Sequence, residues 1–420
     1  MIIVSLLLIV LAVFGAPLFV IIATSAMVGF QSNDTELMTI ALELLSISQM
    51  PVLTAIPLFT FAGYLLSESK APARLVRLTS AMFGWMPGGL ALVCLAACAF
   101  FTAFTGASGV TIIALGAILY PALKQDGYGD RFNLGLVTSS GSLGLLFAPS
   151  LPIILYGVVA KVSIDDLFRA GILPGMVMLV MLGGYSIWVN RDNRKPLSSF
   201  SWREVGAALR EAVWELPLPV VVLGGIYSGI FAVSEAAAIT AMYVFIVEVL
   251  IYREIPFREL PRIVRESMVL VGSILMILGV SLASTYYMID AEVPQKLLQF
   301  VAELVSSPTS FLILLLLFLL VLGAILDIFS AIVLVVPLIL PIAEGFGVNS
   351  VHLGIVFLAA MQLGYLTPPV GLNLFIASYR FNKPIMHVYS ATFPFLIILM
   401  LSVILITFLP EMSLLFVSGD

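Results

Sequence analysis

The chain has 420 residues, of which 61% are hydrophobic and 10% are charged, and its mean hydropathy is +1.16. A soluble protein of this length needs far more charge on its surface, so the composition excludes a soluble domain and indicates an all-α integral membrane protein. The net charge is −5, and we expect the lipid bilayer, and no nucleic acid, around this protein.

Charged segments divide the chain into apolar blocks of two lengths. The ordinary blocks match the roughly 20 apolar residues that cross a bilayer as one helix, and the first, 2–28, is expected to be a retained span. The blocks 86–123 and 308–343 are nearly twice as long, with a polar cluster at the centre. This pattern favours a re-entrant helical hairpin, with two full spans joined by a tight turn as the alternative.

Two further blocks, 132–160 and 352–379, contain internal prolines and are predicted to be broken helices. The remaining segments complete the order along the chain. We predict scaffold helices (1–67), an arm helix (68–85), a first transport region (86–189), an amphipathic cytoplasmic connection (190–215), scaffold helices (216–288), a second arm helix (289–303) and a second transport region with the last span (304–420).

The two halves of the chain carry helix breakers at matching positions. An offset of 220 residues aligns Pro149 with Pro369, and it also aligns these pairs: Pro121 with Pro341, Gly127 with Gly347, Gly144 with Gly364, and Pro174 with Pro394. Discontinuous helices at equal positions in two halves are typical of secondary transporters. The sequence therefore predicts two repeats, each with a hairpin and a broken helix.

Basic residues predict the orientation of these repeats. Sixteen of the 19 lysines and arginines fall in five segments that we assign to the cytoplasm, namely 68–85, 124–131, 190–215, 253–267 and 380–389. This assignment of the basic segments to the cytoplasm requires that each long block crosses the membrane an even number of times. The same assignment gives the two halves of the chain opposite orientations in the membrane. Two opposed hairpins around one binding region predict an elevator-type transporter with inverted-topology repeats.

The candidate binding residues lie at the centres of the two predicted hairpins and at the breaks of the two predicted broken helices. A sodium ion needs about five or six oxygen ligands. Glycines allow a helix to unwind, and hydroxyl side chains and the backbone carbonyls freed by proline can then supply these oxygens. We predict sodium ligands at Gly106, Ser108, Gly109, Thr111, Ala148, Pro149, Ser150, Asp327, Ser330, Thr367, Pro368 and Gly371. We predict substrate contacts at Thr105, Ser108, Ser150, Thr367 and Asn373. For any one of these residues, helix packing or a harmless kink is the alternative.

Two acidic residues in apolar surroundings have open roles. Asp327 lies within a predicted hairpin, where a carboxylate is costly unless paired or hydrated, so ion binding is the first hypothesis and helix capping the second. Glu248 lies within an apolar span and either pairs with a neighbouring subunit or extends to the membrane surface. Glu235 is expected to begin a helix with Ser234 as its N-cap.

Catalytic and nucleotide-binding motifs are absent from the sequence. It contains no G-x-x-x-x-G-K-[ST] loop, no H-E-x-x-H and no G-x-S-x-G elbow, so we expect no enzyme activity. Transport must then draw on an ion gradient or on a partner protein.

Several motifs are similar to those of a known family. They are I-P-L-F (56–59), F-T-G-A-S-G (104–109), A-P-S-L-P-I-I-L-Y-G (148–157), A-G-I-L-P-G (170–175), S-E-A-A-A (234–238) and T-P-P-V-G-L-N-L-F (367–375). Together they resemble the large membrane subunit of tripartite ATP-independent periplasmic (TRAP) transporters, over essentially the whole chain. The chain departs from the family pattern at the first tip, G-A-S-G-V-T, and at Ala148, where a proline is usual.

The resemblance implies a Na⁺-coupled elevator importer of organic acids in the bacterial inner membrane. It also implies two partners, a small four-helix membrane subunit and a periplasmic substrate-binding protein. The implied sodium sites lie where each hairpin tip meets the broken helix of its own half, with Na⁺ as the coupling ion. A stand-alone carrier of divalent anions with Na⁺, which needs no binding protein, is the alternative; a channel and a membrane enzyme are more distant ones.

Overall fold

The computed structural model describes residues 7–8, 10–11, 14–32, 36–86, 88–191, 200–305 and 307–417. Every regular element in these ranges is a helix, which confirms the predicted all-α class. Eight helices in the described ranges are long and apolar enough to cross a membrane. The count rises to nine if the bent pair Asp130–Leu146 and Leu151–Ala160 forms one span.

Within its described residues, the first half of the chain contains eleven α-helices. These are α1 (Leu18–Ser32), α2 (Met38–Ser48), α3 (Ala55–Glu68), α4 (Ala71–Phe83), α5 (Gly89–Thr105), α6 (Ser108–Gln125), α7 (Asp130–Ser140), α8 (Leu151–Ala160), α9 (Ile164–Val189), α10 (Trp202–Glu211) and α11 (Pro217–Tyr227). The predicted span 2–28 is interrupted, because a turn at Phe14 and Gly15 precedes α1. The predicted connection 190–215 lies partly outside the described residues, and its described part contains α10.

The described part of the second half continues with nine α-helices. These are α12 (Val233–Phe245), α13 (Leu260–Asp290), α14 (Val293–Leu304), α15 (Pro308–Ile325), α16 (Ile328–Gly345), α17 (Ser350–Gly364), α18 (Leu372–Phe381), α19 (Ile385–Phe408) and α20 (Glu411–Leu414). The N-cap of α12 is Ala232, whose backbone N–H donates to Glu235 at 3.0 Å. The expected cap Ser234 is therefore wrong: the helix begins at Val233, and Glu235 lies in its first turn.

The predicted hairpin 86–123 corresponds to α5 and α6. The chain reverses at Gly106, which ends α5 with a left-handed φ of +64°. A Cβ atom on this residue would lie 2.6 Å from Cγ of Leu151, so both the conformation and the space require glycine. Helices α15 and α16 form the second hairpin, where the Phe311 and Phe346 rings stack 4.7 Å apart and join its open end.

The predicted broken helices also have breaks at their prolines. Helix α7 passes through a 3₁₀ turn, Leu143–Leu146, and then bends by 43° into α8. Helix α17 ends at Gly364, and α18 begins after Gly371. The peptide bonds Ala148–Pro149 and Pro368–Pro369, at matching positions of the two halves, are cis. The inverted orientation of the halves, and their division into scaffold, arm and transport parts, remain predictions.

A buried ionic cluster holds α4 to the helices around it. The Arg74 guanidinium donates to Glu215, to Glu248 at 3.1 Å and to Glu254 at 2.6 Å. It also lies 4.1 Å from the ring centroid of Tyr252. Glu248 is completely buried in a π-helical turn, Ile246–Ile251, that continues α12. Its partner is therefore an arginine of the same chain, which answers the question that the sequence left open.

Candidate functional site

A cavity of about 320 Å³ lies where the two hairpin tips meet the rest of the molecule. We call residues 105–109 the first tip, 326–330 the second tip, 141–150 the first break and 365–371 the second break. The cavity is lined by Tyr64 of α3, by Gly106 to Val110, by Leu145, by Leu270, Ser273, Ile274 and Ile277 of α13, by Asp327 to Ser330, by Tyr365, and by Leu372 and Ile376 of α18. Both tips thus face one space, which we call the central cavity.

The first tip packs directly against the first break. Thr102, one turn before the tip, donates from its hydroxyl to the carbonyl of Gly141 at 2.8 Å. Its hydroxyl also lies 2.6 Å from that of Thr111. Leu151, which follows the break, fills the space beside Gly106. The predicted residues of this half are therefore neighbours, and Thr102 joins them as a contact that the sequence reasoning missed.

The second tip packs against the second break through its backbone. The N–H of Gly371 donates to the carbonyl of Ala324 at 3.2 Å, and the N–H of Ile328 donates to the Tyr365 hydroxyl at 2.7 Å. A Cβ atom on Gly364 would lie 2.5 Å from the Cα of Gly323, so the helices touch at their backbones. The Thr367 hydroxyl, in the break, donates to the carbonyl of Leu363, in the last turn of α17, at 2.9 Å.

Asp327 caps the second helix of its hairpin. Its carboxylate accepts the backbone N–H groups of Phe329 and Ser330, each at 3.0 Å, and the Ser330 hydroxyl. The same residue is exposed to the central cavity and is the one carboxylate among the lining residues. The capping role is present in the structure, and it leaves the charge available to a cation in the cavity.

One hydrogen bond links the two halves at the tips. The Ser108 hydroxyl donates to Oδ1 of Asn373 at 2.7 Å, across 265 positions of the sequence. Further along the same pair of helices, the Tyr120 and Phe381 rings stack 4.7 Å apart. Beyond the ends of both helices, Lys383 donates to the Asp130 carboxylate at 2.8 Å. Helices α6 and α18 therefore run parallel, with both N-termini beside the central cavity.

Several fully buried polar atoms near the tips and breaks have no hydrogen-bond partner in the protein. They are Oγ1 of Thr105, Oγ of Ser150, both side-chain polar atoms of Gln362 and Nδ2 of Asn373. Buried polar groups in native proteins are nearly always satisfied by protein, water or ions. Three of these atoms are oxygens, those of Thr105, Ser150 and Gln362, and bound ions or water can complete such buried oxygens.

The predicted residues divide into two groups by position. Those that line the central cavity are Gly106, Ser108, Gly109, Asp327 and Ser330. Those that do not line it are Thr105, Thr111, Ala148, Pro149, Ser150, Thr367, Pro368, Gly371 and Asn373. Tyr64, Ser273, Tyr365 and Gln362 were not predicted. Of these, Gln362 could have been found as an isolated amide within an apolar span.

The two breaks differ in their exposure. Ala148, Pro149 and Ser150 are buried, whereas Pro368, Pro369 and Val370 are exposed. The matching segments of the two halves therefore occupy different environments. The exposed break is the second one. The helix that follows it, α18, begins at Leu372 beside the central cavity.

Replacing Ser108 with alanine is expected to destabilise the protein by about 1–3 kcal/mol, because it leaves Oδ1 of Asn373 buried without a donor. Thermal unfolding in lipid nanodiscs measures this change. Ser48→Ala, which removes an exposed hydroxyl bonded within its own helix, is the control. Equal midpoints for the two variants would show that the Ser108–Asn373 bond does not hold the halves together.

The helical hairpins, the broken helices and the cavity between them define a multispan membrane transporter. The family model described as "Tripartite ATP-independent periplasmic transporter, DctM component" matches residues 2–412. The chain belongs to this family, which confirms the resemblance seen in the motifs. It is accordingly an inner-membrane permease component and not an enzyme.

Individual relatives and one solved structure agree with this assignment. The chain is 34% identical to the C4-dicarboxylate TRAP transporter large permease protein DctM of Pseudomonas aeruginosa, over 90% of this chain and 88% of the relative. It is 34% identical to the isethionate TRAP transporter permease protein DctMQ of Oleidesulfovibrio alaskensis, over 88% of this chain and 59% of the relative. The crystal structure of the Alcanivorax borkumensis YdaH transporter matches with a TM-score of 0.63 and 13% identity, over 91% of this chain and 89% of that one, which shows a common fold.

Proposed function

We propose that this permease imports a small organic acid across the inner membrane, driven by an inward Na⁺ gradient. The observation that carries the proposal is the central cavity, where two hairpin tips meet beside unpartnered buried oxygens. Backbone carbonyls, hydroxyls and one carboxylate are the oxygen ligands that suit Na⁺. ATP-binding motifs are absent from the sequence, so a gradient is the available source of energy.

Two groups of oxygens are proposed to bind the coupling ions. The first combines Gly106, Ser108, Gly109 and Thr111 with Ala148, Pro149 and Ser150. The second combines Asp327 and Ser330 with Thr367, Pro368 and Gly371. The unpartnered oxygens of Ser150 and Gln362 support this arrangement, because a bound cation would satisfy buried acceptors that the protein leaves unpaired.

The cargo is proposed to be a small carboxylate or sulfonate. The two curated relatives named above carry the names of a C4-dicarboxylate and of isethionate, both organic anions. No lysine or arginine lines the central cavity in the described residues, so the anion would meet other groups. The N-terminus of α6 begins at Ser108 without a side-chain cap, and helix N-termini attract negative charge. Bound Na⁺ would offset the charge of Asp327.

Two partner proteins are proposed to complete the transporter, a small four-helix membrane subunit and a periplasmic substrate-binding protein. The family description names a tripartite transporter. The Oleidesulfovibrio relative, named DctMQ, extends well beyond the part that this chain covers. Within the permease, we propose that 86–160 and 308–379 move as one body against the scaffold 1–67 and 216–288.

The test is uptake by proteoliposomes that contain the permease, its small subunit and its binding protein, assayed with a panel of radiolabelled organic acids. Uptake is expected to require an inward Na⁺ gradient, with more than one ion per substrate. Equal uptake when choline replaces Na⁺ would refute the coupling. Full uptake without the binding protein would instead favour a stand-alone carrier.

A further inference from the structure

A second cavity lies next to the central one, at the end of α13 that carries basic residues. It has a volume of about 640 Å³ and is lined by Tyr64, Pro261, Arg262, Arg265, Glu266 and Val269. Tyr64 of α3 also lines the central cavity, and it is the one lining residue that both share. The segment 253–267 is assigned to the cytoplasm by its arginines. We call this second space the inner cavity.

One face of α13 connects the two cavities. Residues 262, 266, 269 and 270, 273, and 277 recur at helical spacing, so their side chains form a single stripe. The beginning of the stripe lines the inner cavity, and its continuation from Leu270 lines the central cavity. Tyr64 lies at the boundary between the two cavities, because it lines both of them.

We propose that this stripe of α13 is the path by which the cargo leaves the central cavity for the cytoplasm, with Tyr64 as its gate. The inference rests on the proposed function for the nature of the cargo. The gate is a large half-buried ring on a short helix, which can change rotamer without movement of the backbone. The role of Tyr64 as a gate is inferred from its position between the two cavities and not from a sequence motif.

The charges along the path fit an acid that travels with sodium ions. Arg262 is occupied by three carboxylates, because it bonds Glu68 at 2.7 Å, Glu259 at 2.9 Å and Glu266 at 3.2 Å. Arg265 makes no ion pair within the described part of the chain. Arg265 is therefore the cation that can meet a departing carboxylate, while the carboxylates around Arg262 suit the accompanying Na⁺.

Cysteine accessibility from the cytoplasmic side tests the path. Val269→Cys and Ser273→Cys lie on the stripe, whereas Met268→Cys and Leu275→Cys point to the opposite side of the same helix. In inside-out vesicles, a membrane-impermeant maleimide is expected to label the stripe pair at least tenfold faster than the control pair. The native Cys94 and Cys98 are buried, so the unmodified chain supplies the background rate.

The gate is tested in the same assay. Tyr64→Ala is expected to speed the labelling of Ser273→Cys, which lies beyond the ring, and to leave Val269→Cys unchanged. Tyr379→Ala, at a ring that is 93% exposed and lines neither cavity, should change neither rate. Equal labelling of the stripe and control pairs, or no effect of Tyr64→Ala on Ser273→Cys, would overturn the proposal. These readouts need no substrate, so they are independent of the Na⁺-driven uptake that tests the proposed function.

Discussion

Replacing Arg74 with methionine is expected to destabilise the protein by about 3–5 kcal/mol. The change keeps an unbranched side chain but removes the guanidinium, so the carboxylates of Glu215 and Glu248 stay buried without a counter-charge, and an uncompensated buried charge is costly. Burial already raises the pKa of Glu215 even though Arg74 opposes the shift. Unfolding in nanodiscs, followed by circular dichroism, measures the loss.

Arg77 supplies a matched control on the same helix. It pairs with Glu204 and Glu211, but its side chain is 42% exposed, so Arg77→Met should change the unfolding midpoint little. Adding Glu248→Gln to Arg74→Met should recover part of the stability, because it removes one uncompensated charge. Similar midpoints for Arg74→Met and Arg77→Met would show that α4 is not anchored by this cluster.

Asp327→Asn is expected to lower Na⁺ affinity and transport at least tenfold while it leaves the stability almost unchanged. Asparagine caps a helix about as well as aspartate, so this variant removes the charge and keeps the cap. Asp327→Ala removes both, and should add a loss of about 1 kcal/mol in stability. Sodium titrations of the purified variants, followed by thermal shift, separate the two effects.

The comparison decides between two roles of one carboxylate. Normal Na⁺ affinity in Asp327→Asn, with a defect only in Asp327→Ala, would reduce Asp327 to a helix cap. Asn349, which caps α17 in the same way but outside the central cavity, provides a control. Asn349→Ala should reduce stability without altering Na⁺ affinity.

Local signals in the sequence predicted the chain reversals at the two tips and the breaks in the two helices, while the choice between re-entrant hairpins and full spans remains a prediction. Gly106 and the prolines at 149, 368 and 369 act on their own backbone, so their positions are sufficient to place a reversal or a break. The span 2–28 was predicted only from the length of its apolar run. The length of a run does not show whether a turn interrupts it, as one does at Phe14 and Gly15. The N-cap of α12 is Ala232 and not the predicted Ser234, because the Glu235 carboxylate accepts the backbone N–H of Ala232, three residues earlier.

Contacts between distant segments were beyond the sequence. Arg74 and Glu248 are 174 positions apart, and each looks like an ordinary charged residue until the helices pack. The Ser108–Asn373 bond depends in the same way on the parallel arrangement of α6 and α18. For the candidate site, the sequence located the tips and breaks, but only the three-dimensional structure separates the residues that line the cavity from those that do not.

The unequal exposure of the two breaks has a consequence for the transport cycle. If the halves are inverted repeats, each half can adopt the conformation that its counterpart holds here, and the two exchanges together convert this state into the one that opens to the other side of the membrane. In that second state the segment 148–150 would be uncovered and the segment 368–370 enclosed. If this holds, the two unequal breaks of one structure describe both facing states of the cycle.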